Sequence, residues 1–281
     1  MSDRVLLDMT DGIAVITLND PQKRNALSDE MVSALIAAID TCEAHDDVGA
    51  VVLTGAGKGF CAGGDIKTMG PDADNRPHVT KRYIWNDIQA FPKRLATFEK
   101  PIIAAINGAA LGGGAEIALA CRFRIASPKA TIGLPEVTLG VVPGATGTQR
   151  LPRLVGMAAA LDIIPQGKVL KAGPALEIGL IDKIEDNPVA AALDLDAGLF
   201  SDVVPLAERP APQADEAAVE KALLELDQGS DAKAVLEKMN AELLREDNWG
   251  KKKFAFRVKK EVRGTFINFL YAGPPEAVKE F

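Results

Sequence analysis

NGAALGGGAEIALACRFRIAS, residues 107–127, sets three consecutive glycines directly before an apolar stretch whose first turn carries Glu116. Glycine inside a regular element costs about 0.5–1 kcal/mol relative to alanine, so such a run marks backbone that must turn or be approached closely. The preceding PIIAAIN (101–107) reads as a short apolar strand, and the glycines lead from it into a helix start. An earlier stretch repeats the pattern. VVLTGAGKGFCAGGDI (51–66) and IIAAINGAALGGGAEI (102–117) both run strand, glycine-rich turn, acidic residue, apolar helix start. Two such units predict an α/β fold in which both glycine turns reach one edge of a sheet, where folds of this class usually bind ligands.

The flanking segments agree with that class. VLLDMTDGIAVITLN (5–19) holds two β-rich runs joined by Asp11-Gly12, a two-residue hairpin signal. In SDEMVSALIAAIDTCEAHDD (28–47), Ser28 is the expected N-cap, and Val32, Leu35, Ile36 and Ile39 share one helical face. Ile84, Ile88, Phe91, Leu95 and Phe98 form a second helical stripe, interrupted at Pro92 and read as core packing. From about residue 187 the composition turns rich in Ala, Pro and Asp, which reads as a connecting region. Helices are expected beyond it, over 214–247 and 250–271. The chain therefore divides into a core, 1–186, and a linker with an α-helical C-terminal part, 187–281.

Bulk properties exclude several classes. The net charge of -7 argues against a nucleic-acid partner, and the cluster Lys251, Lys252, Lys253, Arg257, Lys259, Lys260 reads as a solvated helix face. Cys42, Cys61 and Cys121 show neither a disulfide framework nor zinc-ligand spacing, so no metal is expected. No basic leader followed by an apolar stretch opens the sequence, and nothing approaches 18 consecutive apolar residues. No membrane association is expected, and a reducing cytoplasm fits best. The two histidines, His45 and His78, have no GxSxG serine near them, which leaves acid–base chemistry to carboxylates.

GAGKGF (55–60) fails as a nucleotide loop. Val52 and Gly59 occupy positions where the P-loop needs Gly and Ser or Thr, and Phe60 stands in place of the third glycine of a dinucleotide fingerprint. What the glycines can do is present backbone N–H groups, and two amide-rich turns at one point would form an oxyanion hole. Glu116 and Glu136 both lie in apolar surroundings, where a glutamate is rare unless partnered. Ion pairs to Arg122 or Arg124 are the structural alternative for each.

Together, GKGFCAGGDI, NGAALGGGAEIALACRFRIAS and LPEVTLGVVPGATGTQRLPRLVG resemble the enoyl-CoA hydratase/isomerase (crotonase) family, and NDPQKRNALS (19–28) resembles its acyl-CoA contact segment. The resemblance covers about residues 5–185. It implies a spiral of repeated ββα units and no cofactor beyond the coenzyme A of the substrate. The amides of Gly64 and Gly113 would hold the thioester oxygen. Glu116 and Glu136 would flank a water as acid and base, and the Gly144 amide would help to hold it. Lys23, Arg24, Ala26, Ala62, Asp65 and Ile66 match positions that contact coenzyme A or frame the pocket. Retention of both glutamates favours hydration of an enoyl-CoA, as in β-oxidation, over isomerisation, thioester hydrolysis or non-catalytic binding. Arg122 departs from the family's usual Asp. The family is usually a trimer or dimer of trimers, which makes a homo-oligomer the expectation, with the C-terminal part the region expected to oligomerise.

Overall fold

A computed structural model describes residues 3–65, 98–139 and 142–195, scattered positions at 91–95 and 204–221, and the backbone of 241–245 and 254–258. Strands β1 (Val5–Thr10) and β2 (Ile13–Leu18) pair antiparallel, from Val5↔Leu18 to Thr10↔Ile13. Asp11 and Gly12 between them take φ of 50° and 79°, the backbone that a two-residue turn between right-twisted strands requires. Helix α1 (Asp29–Ala44) begins where Ser28 Oγ accepts the Met31 N–H at 3.3 Å, with Asp29 and Glu30 in its first turn. Val32, Leu35 and Ile39 of its predicted face are buried, and Ile36 is half-buried.

The hairpin opens a six-stranded sheet. β3 (Ala50–Gly55), β5 (Ile102–Ile106), β7 (Phe123–Ala126) and β10 (Lys183–Ile184) extend it in the order β1-β2-β3-β5-β7-β10, parallel from β2 onward. Every residue of β3 and β5 is buried, which accounts for their unbroken apolar runs. A second sheet has the order β4 (Gly59–Cys61), β6 (Ala109–Leu111), β8 (Thr131–Gly133), β9 (Val169–Lys171), with only β9 antiparallel. The chain thus passes from large sheet to small sheet three times, β3 to β4, β5 to β6 and β7 to β8. Helix α2 (Gly113–Ala120) follows β6 and is buried from Gly114 to Leu119. This is the crotonase-like spiral of ββα units.

Helices α3 (Gly147–Val155), α4 (Met157–Ile163) and α5 (Ala172–Glu177) follow. Alternate residues of the large sheet divide between two cores. Val51, Leu53, Ala104, Ile106 and Ala126 face the larger one, which also takes Phe91, Leu95 and Phe98. Val52, Ile103, Ala105 and Ile125 face the other, closed by Val189 and Ala192 of α6 (Pro188–Leu193). The sequence reading placed 187 onward in a connecting region. The apolar alternation on the reverse of the sheet requires a cover, and α6 supplies it. Ile84 and Ile88 of the predicted stripe lie outside the described residues.

The C-terminal expectation needs correction. Strands β11 (Ala241–Arg245) and β12 (Phe254–Val258) pair antiparallel, Ala241↔Val258 to Arg245↔Phe254, inside segments read as helices. Phe254, Phe256 and Val258 alternate with period two, and this β-favouring pattern outweighs the helical spacing of the flanking lysines.

Cys42, Cys61 and Cys121 are buried free thiols, pushed up by burial to about 11, 12 and 12, which keeps them protonated and unreactive. Among the described residues, no helix is long and apolar enough to cross a membrane.

Candidate active site

β4 and β6 are neighbouring parallel strands, so the turns that leave them come off the same end of the small sheet. A Cβ on Gly63 would stand 3.2 Å from the Gly113 nitrogen, and one on Gly113 would stand 3.7 Å from the Gly64 nitrogen. Leu27 N–H donates to Gly63 O (2.8 Å), and Asp65 N–H donates to Leu27 O (3.2 Å). Because an extended chain alternates its amides, this pairing turns the Gly64 N–H to the opposite side, toward α2. Gly113 is the first residue of α2, where an N–H has no partner within the helix and lies at the positive end of the dipole. Both glycines are half-buried, while Gly63, Gly112 and Gly114 beside them are buried. The two turns therefore converge.

Glu116 stands in the first turn of α2 and is 2% exposed. Its Oε1 accepts the N–H of Ala145 at 2.7 Å and of Gly147 at 2.8 Å. Gly147 opens α3, so the carboxylate sits at a helix N-terminus, a favourable place for negative charge. A side chain there would displace the carboxylate, since a Cβ on Gly147 would lie 2.9 Å from that oxygen. The ion pairs considered for Glu116 do not form. Arg122 donates to Glu99 O (2.9 Å), and the buried Arg124 pairs with Asp182 (2.7 Å) while donating to Leu180 O and Cys121 O. The positive charge acting on Glu116 is that of buried Arg150 in α3.

Glu136 comes from the 3-10 turn Pro135–Leu139, after β8. Its Oε1 lies 3.2 Å from where a Cβ on Gly112 would stand, which places it beside the α2 N-terminus. Its Oε2 is buried and has no hydrogen bond among the described residues. Burial pushes Glu116 up to about 7, against the Gly147 and Ala145 amides and the charge of Arg150. Burial and then the negative charge of Glu116 push Glu136 up to about 8. Two such carboxyls titrate as a pair that shares one proton near neutral pH.

The segment read as the coenzyme A contact lies against the first glycine turn. Arg24 O accepts the Ala62 N–H at 3.0 Å, and Lys23 Nζ lies 3.4 Å from Asp65 Oδ2. Lys23 and Arg24 are exposed, and Ala26 and Ala62 are half-buried. Gly144 is exposed and immediately precedes the Ala145 amide that holds Glu116. Ile66 lies outside the described residues. Sequence reasoning missed Ala145, Gly147 and Arg150. Of these, Gly147 carried a signal, a glycine at the start of a helix, where it is otherwise unfavourable.

Comparison with known proteins bears on the family and the fold. The family model described as Enoyl-CoA hydratase/isomerase matches residues 8–223. A second model, Ribosomal protein S6, matches residues 216–281. The short-chain-enoyl-CoA hydratase of Clostridium acetobutylicum is 45% identical over 183 residues, 65% of this chain and 69% of that protein. A Bacillus subtilis protein named "Probable enoyl-CoA hydratase" is 43% identical over 169 residues, 60% of this chain, and the match spans 64% of that relative's length. The solved enoyl-CoA hydratase of Bacillus anthracis superposes with a TM-score of 0.65 at 32% identity, covering 84% of this chain and 91% of that one. With three quarters of its length matched and the ββα spiral in place, the chain belongs to the enoyl-CoA hydratase/isomerase family.

Proposed function

We propose that the chain is an enoyl-CoA hydratase, adding water across the 2,3 double bond of an enoyl-CoA to give a 3-hydroxyacyl-CoA. The observation that carries this reading is the pair of carboxyls, the buried Glu116 and the half-buried Glu136 with its buried Oε2, at the N-terminus of the helix that also presents the Gly113 amide. The thioester oxygen sits between the Gly64 and Gly113 amides, where charge develops as the enolate forms. One such donor contributes about 3–4 kcal/mol to lowering the barrier. Glu116 holds its charge toward two amides and Arg150, so it is the ionised partner that takes a proton from water. Glu136, with a buried oxygen that has no donor among the described residues, carries the shared proton and delivers it to C2 as the water oxygen bonds to C3. Lys23, Arg24, Ala26, Ala62 and Asp65 hold the coenzyme A moiety. The chemistry needs neither metal nor further cofactor, because the enolate is stabilised by amides and both protons move through carboxyls.

The test follows loss of the conjugated thioester absorbance of crotonyl-CoA against pH. The active form holds one proton between the two glutamates. The rate is therefore expected to rise as the first proton leaves the pair near pH 7 and to fall as the second leaves near pH 8. Tight coenzyme A thioester binding without absorbance loss would overturn hydration and leave isomerisation, thioester hydrolysis or simple binding.

The likeness of residues 216–281 to a ribosomal protein supports a second role for that segment. Residues 248–263 carry seven Lys or Arg against one Glu, interleaved with Trp249, Phe254 and Phe256, and β12 falls within this stretch. We read this as a surface for RNA, a departure from the expectation drawn from the net charge of the whole chain. Fluorescence anisotropy with labelled single-stranded RNA is expected to show binding that weakens steeply with salt. Absence of binding at low salt would dismiss it.

A further inference from the structure

Two asparagine side chains gather the carbonyl groups of the corner where the chain leaves the large sheet for the small one. Asn25 Nδ2 donates to Ala56 O (3.0 Å), Gly59 O (2.9 Å) and Phe60 O (3.1 Å). Its Oδ1 accepts the Asp20 N–H at 2.9 Å, and the residue is wholly buried. Asn107 Nδ2 donates to Gly55 O (2.8 Å) and Gly57 O (3.1 Å). Five of the six carbonyls between residues 55 and 60 thus point at two side-chain amides. Asn25 takes φ of 55°, a left-handed conformation that asparagine tolerates better than other residues with side chains. Asn107 comes from the corresponding corner between β5 and β6, one strand over.

The corner leads into β4, and Gly64 follows the end of that strand by three residues. Residues on either side of Asn25 continue the contact, because Arg24 O takes the Ala62 N–H and Leu27 N–H reaches Gly63 O. Any drift of 55–60 therefore carries β4 and the Gly64 amide with it. We infer that Asn25 is a positioning residue which, with Asn107, fixes the Gly64 amide relative to the Gly113 amide by clamping the 55–60 corner. This rests on the hydratase reading, in which those amides hold the thioester oxygen.

Asn25→Asp tests it, because Asp keeps the acceptor for Asp20 N–H but turns an oxygen toward three carbonyls. Asn25→Gly keeps the positive φ and removes the amide. Two readouts are taken beside thermal unfolding: kcat and KM for crotonyl-CoA, and the shift to longer wavelength of the absorbance of bound cinnamoyl-CoA, which reports polarisation of the thioester. Expected are a folded protein, kcat lower by about tenfold or more, KM within about threefold and a diminished wavelength shift. A folded Asn25→Asp with wild-type kcat and wild-type shift would overturn the clamp. Should neither variant fold, Asn107→Ala decides, with a smaller loss of kcat and shift expected and wild-type values overturning the inference. If the wild type neither hydrates crotonyl-CoA nor shifts cinnamoyl-CoA, the hydratase reading falls and the clamp with it. If the wild type does both and the variants match it, only the clamp falls.

Discussion

Glu136→Gln is expected to lower kcat for crotonyl-CoA hydration by about 10³-fold or more while leaving coenzyme A thioester affinity within about threefold. Glutamine has the shape of the protonated acid but no proton of comparable acidity to give to C2. Because no N–H among the described residues donates to Oε2, the substitution takes an acceptor away from no partner. Loss of activity through unfolding is separable by pH. The carboxyl is raised in the folded protein to about 8, so its contribution to stability is present at low pH and lost as the pH rises through that value. The amide never ionises. Relative to wild type, Glu136→Gln should therefore gain stability between about pH 4.5 and pH 8, with no gain at pH 4. Melting curves at pH 4 and 8.5 beside the kinetics check both statements. A variant with wild-type kcat removes Glu136 from the reaction.

The Glu116→Gln variant separates the other role. Its carbonyl oxygen still accepts the Ala145 and Gly147 amides, so the α2–α3 contact survives while the base is lost. That the two glutamates behave differently was not legible in the sequence. Both lie in apolar surroundings, and for either one taken alone an ion pair to Arg122 or Arg124 was as reasonable as a catalytic role. What distinguishes them is tertiary: the start of α3 aims its amides at one carboxylate, and among the described residues no donor reaches Oε2 of the other.

The fold was more legible than the site. Strand and helix periodicities located β1 to β3, α1, β5 and α2, because those elements bury one face or both. The glycine turns foretold their own convergence, since parallel neighbouring strands deliver successive turns to one edge. Asn25 and Asn107 gave no comparable signal. A buried asparagine that captures carbonyls from a corner some thirty residues away along the chain looks, in sequence, like any polar loop residue. The C-terminal segment misled for a different reason. Its lysines and glutamates fit a solvated helix as readily as a strand, and the β alternation of Phe254, Phe256 and Val258 is only three residues deep.

Gly114→Ala is expected to damage both catalysis and stability, and the reason joins the fold to the chemistry. Gly114 follows the donor Gly113 in the first turn of α2, and α2 rests there on β4. A Cβ on Gly114 would stand 2.2 Å from Cys61 O and 2.8 Å from Cys61 Cβ, distances no side-chain rearrangement can relieve because the first is to backbone. Helix and strand must separate. Cys61 precedes Gly64 by three residues, so that separation widens the gap between the two amides meant for one oxygen. Removing a single such donor typically lowers kcat by about 10²–10³, and displacing the pair should reach about 10³ or more. Stability should fall by about 2–3 kcal/mol, in the range of overpacked cores. Alanine favours helices more than glycine does, so intrinsic propensity alone would predict a gain of about 1 kcal/mol. Chemical denaturation and crotonyl-CoA kinetics on this one variant discriminate the two. A stabilised, fully active Gly114→Ala would mean that α2 and β4 tolerate separation, and the amides could not be held in register by that contact.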